Sequence, residues 1–256
     1  MQTRGDINPT VQGDEGHSNV TYGPIINHTD GLGELNELLG GAGSVHWKVL
    51  INGMHLPGPW LKYVEYVLLP PGASCGEHPH DQTEEIYVVV RGSGTMLING
   101  ARWGIAAGDV LTVPLGSVHS VAADLGEELR FLPFEMFPGR GADRPAQRIA
   151  MRERLREEPR GRSGRSRATV DLGPYFTAPW SHLSLTQLAP GANLADTSPA
   201  NTVLFLIQGH LKGCVGDRVV DALPGFCAGI PAGMPWQLTA DDDTEHAELV
   251  SIQLGS

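Results

Sequence analysis

The sequence predicts an all-β protein that contains two tandem copies of one β module, and three observations support this prediction. Gly and Pro contribute 33 and 19 of the 256 residues, a proportion that favours many short strands and turns over long helices. Short runs rich in β-branched and aromatic residues end at Gly or Pro, as the strands of a sandwich or barrel do. Turn residues of the first half also recur at a fixed interval in the second half, which indicates an internal duplication.

The candidate strands have lengths and boundaries typical of small β barrels. They occupy residues 63–69, 86–90 and 110–113 in the first half and residues 203–207 and 249–252 in the second. The turn residues that follow four of these runs are Pro70, Gly92, Pro114 and Gly209. Because turn residues end these runs after a few residues, the pattern favours strands over long helices on both sides of the chain's midpoint.

The duplication is visible in five pairs of turn residues. Gly72 and Gly191 are 119 residues apart, while the other four pairs are 117 residues apart, a difference that a two-residue deletion in a loop of the second copy would explain. Five turn residues in register are hard to obtain by chance, so the two halves are predicted to share one fold. The pairs at the interval of 117 are Gly92 and Gly209, Gly108 and Gly225, Pro114 and Pro231, and Gly116 and Gly233.

An Arg-rich segment divides the two copies. Residues 140–167 contain ten Arg and four acidic residues, a net charge of +6 within a chain whose formal net charge is −11. We interpret the segment as a solvated linker that lies against acidic surfaces, rather than as a nucleic-acid-binding tail. The predicted organisation is an extension at 1–45 with a short helix at 32–39, a first domain at 46–137, a linker at 138–168 with a short helix at 146–158, and a second domain at 169–256.

Three histidines and a glutamate in the first half have the chemistry of a metal site. His78 and His80 are two residues apart, so on a strand both imidazoles face the same side. Glu84 and Glu85 are adjacent and face opposite sides, so only one of them can join the histidines. His119 follows a Pro-Leu-Gly turn further along the chain. Imidazole and carboxylate ligands that converge in a barrel suit Fe(II), Mn(II), Ni(II) or Zn(II).

These segments resemble the two sequence motifs of the cupin superfamily. The match extends from Gly72 to His119 and includes the turn residues as well as the polar positions. The six residues between the glutamate and Gly92 select Glu85 over Glu84. One departure is Ala123, where the second motif usually has Asn at a position that is not a ligand in the family. The resemblance implies a bicupin, in which each half is a double-stranded β-helix (jelly-roll) barrel, with metal ligands His78, His80, Glu85 and His119.

The second half lacks the metal-site residues. Thr202 and Trp236 stand 117 residues after Glu85 and His119, and residues 192–200 contain no histidine. We therefore expect the second barrel to bind no metal. Its expected role is to pack against the first barrel, to pair with it or to act as a lid. A separate ligand pocket around Trp236 is the alternative.

Further candidates follow from strand alternation around Glu85. Tyr87 and Arg91 share its parity, which predicts Tyr87 in the pocket and Arg91 at its rim as substrate-binding residues. Tyr87 or Glu84 is the candidate proton-transfer residue. On the preceding strand the pattern allows either Tyr63 and Glu65 or Lys62 and Tyr66 to face the cavity.

Charge and composition indicate which classes of binding partner and which cellular compartment to expect. The net charge of −11 argues against nucleic acid or an anionic membrane, and no apolar run approaches the roughly 18 residues needed to cross a bilayer. A polar beginning and three cysteines without a Cys-x-x-Cys pair favour a cytoplasmic protein. A small-molecule substrate is expected, and a homo-oligomer is compatible with the internal pairing of bicupins.

The resemblance leaves three functional hypotheses. The first is an Fe(II)-dependent dioxygenase or other oxygenase that acts on a small organic molecule. The second is a metal-dependent enzyme without redox chemistry, such as a lyase, isomerase, cyclase, decarboxylase or aminohydrolase, in which Mn(II), Ni(II) or Zn(II) serves as a Lewis acid. The third is a metal-bearing binding protein without catalysis. Fold class alone does not decide among them, because cupin barrels carry many activities.

Overall fold

A computed structural model describes residues 22–141, 144–158 and 164–254 of the chain. The described residues form two β barrels, each built from a large sheet that faces a four-stranded sheet. In the first barrel the strand order is β12-β9-β6-β11-β4-β3-β2 opposite β5-β10-β7-β8. These strands are β2 Gly33–Asn36, β3 Ser44–Asn52, β4 Leu61–Leu69, β5 Ser74–His80, β6 Glu84–Arg91, β7 Ser93–Ile98, β8 Ala101–Ala106, β9 Asp109–Val113, β10 Ser117–Ala123, β11 Leu129–Met136 and β12 Gln147–Ala150.

The second barrel repeats this plan, with shorter strands in its four-stranded sheet. Its sheets have the orders β1-β19-β16-β21-β14-β13 and β15-β20-β17-β18. The tandem jelly-roll architecture predicted from the sequence is therefore confirmed. The strands are β1 Ile25–His28, β13 Arg165–Asp171, β14 Trp180–Leu188, β15 Asn193–Asp196, β16 Asn201–Gln208, β17 Leu211–Val215, β18 Arg218–Ala222, β19 Phe226–Ile230, β20 Trp236–Ala240 and β21 Ala247–Leu254.

The two halves exchange strands. β1 precedes the first barrel in the chain but pairs with β19 of the second, with Ile25 opposite Gly229. β12 precedes the second barrel but pairs with β9 of the first, with Gln147 opposite Thr112. Thr112 and Gly229 are separated by the interval of the sequence repeat, so the two exchanges are equivalent. Cutting the chain before β12 would therefore remove a strand from the first barrel's large sheet.

The large sheets pack against each other through their outer faces. Val64, Leu132 and Phe134 of the first barrel share one hydrophobic core with Leu183 and Val203 of the second. The large sheets are thus buried on both faces, which explains the almost uninterrupted apolar run of β6, where seven of the eight residues are buried. Alternation along β6 then sends one set of side chains into the barrel and the other into the interface between barrels.

In its described residues, the Arg-rich segment contains more regular structure than a solvated linker would. Besides β12 it contains helix α1 at Met151–Glu157, and β13 begins at Arg165. The helix predicted at 146–158 is wrong for its first five residues, because the backbone of β12 pairs with β9 and Ile149 enters the core between the barrels. Two of its arginines bind carboxylates: Arg148 lies 2.9 Å from Asp109, and Arg152 lies 2.7 Å from Glu248.

The N-terminal extension also differs from the prediction in its described part. Residues 32–39 do not form the expected helix, because strand β2 pairs with the edge of β3, with Glu34 opposite His46. A short 3-10 turn follows at Leu38–Gly40, and similar turns lie at Gly53–His55 and Gly173–Tyr175. Residues 1–21 of the extension lie outside the described residues.

Across the described ranges, no helix is long and apolar enough to span a membrane.

Candidate metal centre

Strands β5 and β10 bring the three predicted histidines together. His78 and His80 occupy alternate positions of β5 and therefore lie on one face. In the antiparallel pairing of β10 with β5, His119 is opposite His78. The His119 ring lies 4.2 Å from the His78 ring and 4.6 Å from the His80 ring, between centroids. The three imidazoles thus form one cluster on the inner face of the small sheet.

The fourth predicted ligand, Glu85, reaches this cluster from the large sheet. It lies on β6 together with Tyr87 and Val89, which point into the barrel core. Its Oε2 atom lies 3.1 Å from His80 Nε2 and 3.6 Å from His119 Nε2. The side chains of Glu85 and His119 are almost fully buried, at 2% and 0% exposure. The four side chains therefore converge from both sheets in the closed interior of the barrel.

The unpaired atoms of this cluster test whether a metal ion fits it. His80 Nε2, His119 Nε2 and Glu85 Oε2 are buried and accept or donate no hydrogen bond among the described residues. Two ligand atoms at right angles, each roughly 2.1 Å from an ion, lie roughly 3 Å apart. This value matches the 3.1 Å between His80 Nε2 and Glu85 Oε2. Buried polar atoms without partners are costly, so a shared divalent cation fits the donor set.

Neighbouring groups orient two of the imidazoles. His78 Nδ1 lies 2.9 Å from the carbonyl oxygen of Gly76, to which only a protonated nitrogen can donate. His80 Nδ1 lies 3.1 Å from the hydroxyl of Thr83. Each contact engages Nδ1 and leaves Nε2 for a ligand bond, which is the usual arrangement around metal-binding histidines.

Burial is the main cause of the pKa shifts of His80, His119 and Glu85. It lowers the pKa of His80 to about 4 and that of His119 to about 2, and in His119 the two neighbouring histidines add to the effect. Both imidazoles are neutral at pH 7, as a metal ligand must be. Burial also raises the pKa of Glu85 well above its ordinary value, and two nearby carboxylates add to this. A cation would oppose that increase, because it favours the ionised carboxylate.

The structure adds a carboxylate that the sequence reasoning missed. Glu135 on β11 is opposite Glu85 in the sheet, and its carboxylate lies within 4.8 Å of ligand atoms of His80 and Glu85. Lys62 Nζ lies 2.7 Å from Glu135 Oε2. One signal in the sequence was available: Glu135 is the charged residue at the inward parity of an apolar strand, four residues after the core residue Phe131.

Strand β4 contributes a second carboxylate. Val64 and Tyr66 face the core between the barrels, so Tyr63 and Glu65 have inward parity and Tyr66 does not. Lys62 lies at an irregularity in the pairing of β4 with β11 and also reaches Glu135. Burial raises the pKa of Glu65 to about 7, although a hydrogen bond from Trp47 partly opposes the increase. Glu65 is therefore a carboxyl group that exchanges its proton near neutral pH.

Tyr87 lies beside the candidate metal ligands Glu85 and His119. Its ring is 5.3 Å from the His119 ring in an edge-on arrangement. Its hydroxyl forms a hydrogen bond with Glu85, and burial raises the pKa of Tyr87 well above the ordinary value. The phenol is thus a neutral hydrogen-bond donor within the cavity.

Two of the predicted site residues lie elsewhere. Glu84 points into the interface between the barrels, where it accepts hydrogen bonds from Thr177 N and Oγ1 at 2.7 Å and from Ala178 N at 2.8 Å. It is therefore not available for proton transfer at the cluster. Arg91 is two-thirds exposed and pairs with Glu128 at 3.6 Å; it lines a groove between the barrels rather than the rim of the metal cavity. β6 is out of regular register with β11 beside Arg91, so alternation from Glu85 no longer predicts its direction.

The second barrel has an apolar interior where the first has its cluster. Trp236 and Thr202 are buried at the positions equivalent to His119 and Glu85. The Trp236 side chain belongs to the hydrophobic core of this barrel, together with Leu194, Leu204 and Leu238. Within the described ranges, both groups of histidines and carboxylates with metal-binding geometry lie in the first barrel.

Comparison with known proteins gives three findings. A family model described as "Cupin domain" matches residues 65–135. An oxalate-binding protein of Thermotoga maritima is 33% identical over 100 residues, which cover 38% of this chain and 80% of the relative. Among solved structures, the formate complex of Lactobacillus farciminis oxalate decarboxylase has a TM-score of 0.69 and 15% identity, with 92% of this chain and 87% of that chain covered. Salicylate 1,2-dioxygenase of Pseudoaminobacter salicylatoxidans with gentisate has a TM-score of 0.63 and 15% identity, with 81% and 72% covered.

Proposed function

Because the chain belongs to the cupin superfamily, we propose that it is a metal-dependent enzyme that acts on a small organic molecule, with Fe(II)-dependent oxygenation as its first candidate reaction. The observation that carries this proposal is the convergence of His78, His80, Glu85 and His119. The Nε2 atoms of His80 and His119 and the Oε2 atom of Glu85 are buried, unpaired and close to one another. The solved structures with a similar fold include a dioxygenase and decarboxylases, which leaves the choice of reaction to experiment.

The surrounding side chains suit a substrate that carries an acidic oxygen. When bound, Fe(II) would supply the electron exchange with dioxygen that no side chain here can perform. Glu85 supplies one negative charge to a divalent ion and Lys62 offsets Glu135. An anionic substrate oxygen is therefore favoured beside the ion while Glu65, whose pKa is raised to about 7, holds its proton. Tyr87 holds the Glu85 carboxylate through its hydroxyl, while Met96, Ile98 and Phe131 exclude water from the cavity.

Oxygen uptake tests the first candidate. The protein is loaded anaerobically with Fe(II) and mixed with air-saturated phenolic acids and dicarboxylic acids, and dioxygen is followed with an electrode. We expect substrate-dependent uptake that falls at least a hundredfold in His119→Ala, because the cluster loses a ligand. Uptake that is unchanged in His119→Ala would place the reaction elsewhere and contradict the proposal.

A second candidate is proton-transfer chemistry without dioxygen, as in a lyase, isomerase, cyclase, decarboxylase or aminohydrolase. Glu135 is the specific observation that favours it, because this carboxylate lies beside the ligand atoms of His80 and Glu85 and is paired with Lys62. A positioned carboxylate that moves a proton typically contributes 10²–10⁴-fold to a rate. Lys62 can hold Glu135 in place and can also attract a substrate carboxylate.

Anaerobic turnover separates the two candidates. Protein loaded with Mn(II), Zn(II) or Ni(II) is incubated with the same acids without dioxygen, and the products are analysed. Turnover that falls about a hundredfold in Glu135→Gln while the metal content is unchanged would favour proton transfer. Turnover that requires both Fe(II) and dioxygen would favour oxygenation. Saturable binding of an acid without any turnover would contradict both and favour a binding protein.

A further inference from the structure

A groove outside the metal-containing barrel has the features of a second ligand site. It lies where the two barrels meet and has a volume of about 480 Å³, within the range of small-molecule sites. Equivalent positions of the two copies line it together, since Val90 and Ile207 are separated by the repeat interval, as are Ala107 and Pro224. The groove therefore lies on the axis that relates the two halves.

The charges in this inter-barrel groove are not symmetric. Arg91, Arg130 and Arg152 line it, whereas Gln208 is the equivalent of Arg91 in the second copy. The three cations are unusual in a chain with a net charge of −11. They place most of the groove's hydrogen-bond donors on one side, in the planar geometry that suits carboxylate and phosphate groups.

Two carboxylates are shared among the three guanidinium groups. Glu128 lies 2.6 Å from Arg130 and 3.6 Å from Arg91. Glu248 lies 2.7 Å from Arg152, and its other oxygen accepts a hydrogen bond from Gln187 at 2.8 Å. Because Glu128 is already held at short distance by Arg130, Arg91 retains most of its donors, and its side chain is 67% exposed. These three arginines and two glutamates together carry a net charge of +1.

An aromatic wall lies beside these arginines. Tyr66 and Phe205 stack with their ring centroids 5.9 Å apart, and both line the groove. Arg130 donates to the Tyr66 hydroxyl over 3.4 Å. The combination of an apolar wall with guanidinium donors suits a ligand that has both an apolar portion and one anionic group.

We propose that the inter-barrel groove binds a small organic anion, through a carboxylate or phosphate group at Arg91 and Arg130 and an apolar portion against Tyr66 and Phe205. This site is separate from the metal cluster, since Arg91 is six residues beyond Glu85 on β6, or roughly 20 Å along the strand. It does not depend on the reaction proposed for the cluster.

Isothermal titration calorimetry with benzoate and phenyl phosphate at low ionic strength tests this proposal. We expect saturable binding that weakens about tenfold in Arg91→Gln, which installs the residue of the second copy, and at least tenfold in Arg130→Gln. Added salt should weaken binding of the wild-type protein as well. The relative affinities of the two probes identify which anionic group the groove prefers.

Two control variants make the result specific. Arg102→Gln removes an exposed arginine from β8, outside the groove, and should leave the affinity unchanged within about twofold. His119→Ala should also leave it unchanged, because the metal cluster is remote. The proposal would be overturned if neither probe bound with a dissociation constant below about 10 mM, or if Arg91→Gln and Arg130→Gln bound the probes as tightly as the wild-type protein. Loss of binding in His119→Ala would also overturn it. Thermal melting verifies that each variant is folded.

Discussion

Three carboxylates and one ammonium group share the polar end of the first barrel's interior. Glu65, Glu85 and Glu135 would together carry −3 when ionised, and Lys62 contributes +1. Such an imbalance is costly in a buried cavity, because like charges and burial both disfavour ionisation. A divalent cation among the histidines would bring the total to neutrality. At the scale of single residues, two observations therefore favour a metal ion: the excess of negative charge and the buried, unpaired Nε2 atoms of His80 and His119.

The titration of Glu65 provides a prediction about stability. Its pKa is raised from 4.5 to about 7 in the folded protein, so between these pH values the folded state binds more protons than the unfolded state. Stability therefore decreases as the pH rises through this window, by up to about 3 kcal/mol for a shift of this size. In metal-free protein, Glu65→Gln should remove this part of the pH dependence between pH 5 and pH 8, as measured by urea denaturation. Glu34→Gln, an exposed change on β2, should retain it; equal slopes in wild-type protein and Glu65→Gln would contradict the assignment.

At the scale of elements, β6 connects the site to the rest of the fold. Its inward residues include the candidate ligand Glu85, and its outward residues enter the core between the barrels. Glu84 extends this connection by accepting three hydrogen bonds from Thr177 and Ala178, which follow the 3-10 turn Gly173–Tyr175 of the second half. The second barrel thus supports the strand that carries the candidate ligand Glu85, although it has no cluster of its own among the described residues.

Replacing Glu84 tests this structural role. In Glu84→Gln one acceptor oxygen becomes a donor that faces the backbone N–H groups, so we expect the free energy of unfolding to fall by about 2 kcal/mol. Urea denaturation measures the change, with Glu34→Gln as a matched exposed control. Metal content should remain that of the wild-type protein, because Glu84 faces away from the cluster. Loss of the metal without a loss of stability would instead indicate a role in the site.

The elements show how far sequence reasoning reached. The runs at 63–69 and 86–90 lie within β4 and β6, because apolar residues and turn signals determine strands locally. The helix expected at 32–39 was wrong, since pairing of β2 with β3 outweighs a weak local pattern. Strand exchange and the approach of Glu135 to Glu85 depend on contacts between distant segments, which neither composition nor spacing encodes. Motif spacing identified Glu85, whereas only the three-dimensional pairing identified Glu135.

At the scale of the whole molecule, the two copies keep the same strand order but differ in the side chains that fill their interiors. The first barrel has imidazole and carboxylate groups at the positions where the second has Trp236 and Thr202, and the Trp236 ring packs in an apolar core. Trp236 cannot provide a ligand, because its indole nitrogen is only a donor. The duplicated fold therefore predicts one metal ion per chain rather than two.

Elemental analysis of the purified protein tests the central claim most directly. After anaerobic reconstitution with Fe(II), Mn(II), Zn(II) or Ni(II) and removal of excess ion, plasma mass spectrometry should find about one divalent ion per chain. In His119→Ala the content should fall at least tenfold, because the cluster loses a buried ligand. A value near two would contradict the assignment of the second barrel. Absence of metal from the wild-type protein, or equal content in His119→Ala, would contradict the metal centre itself.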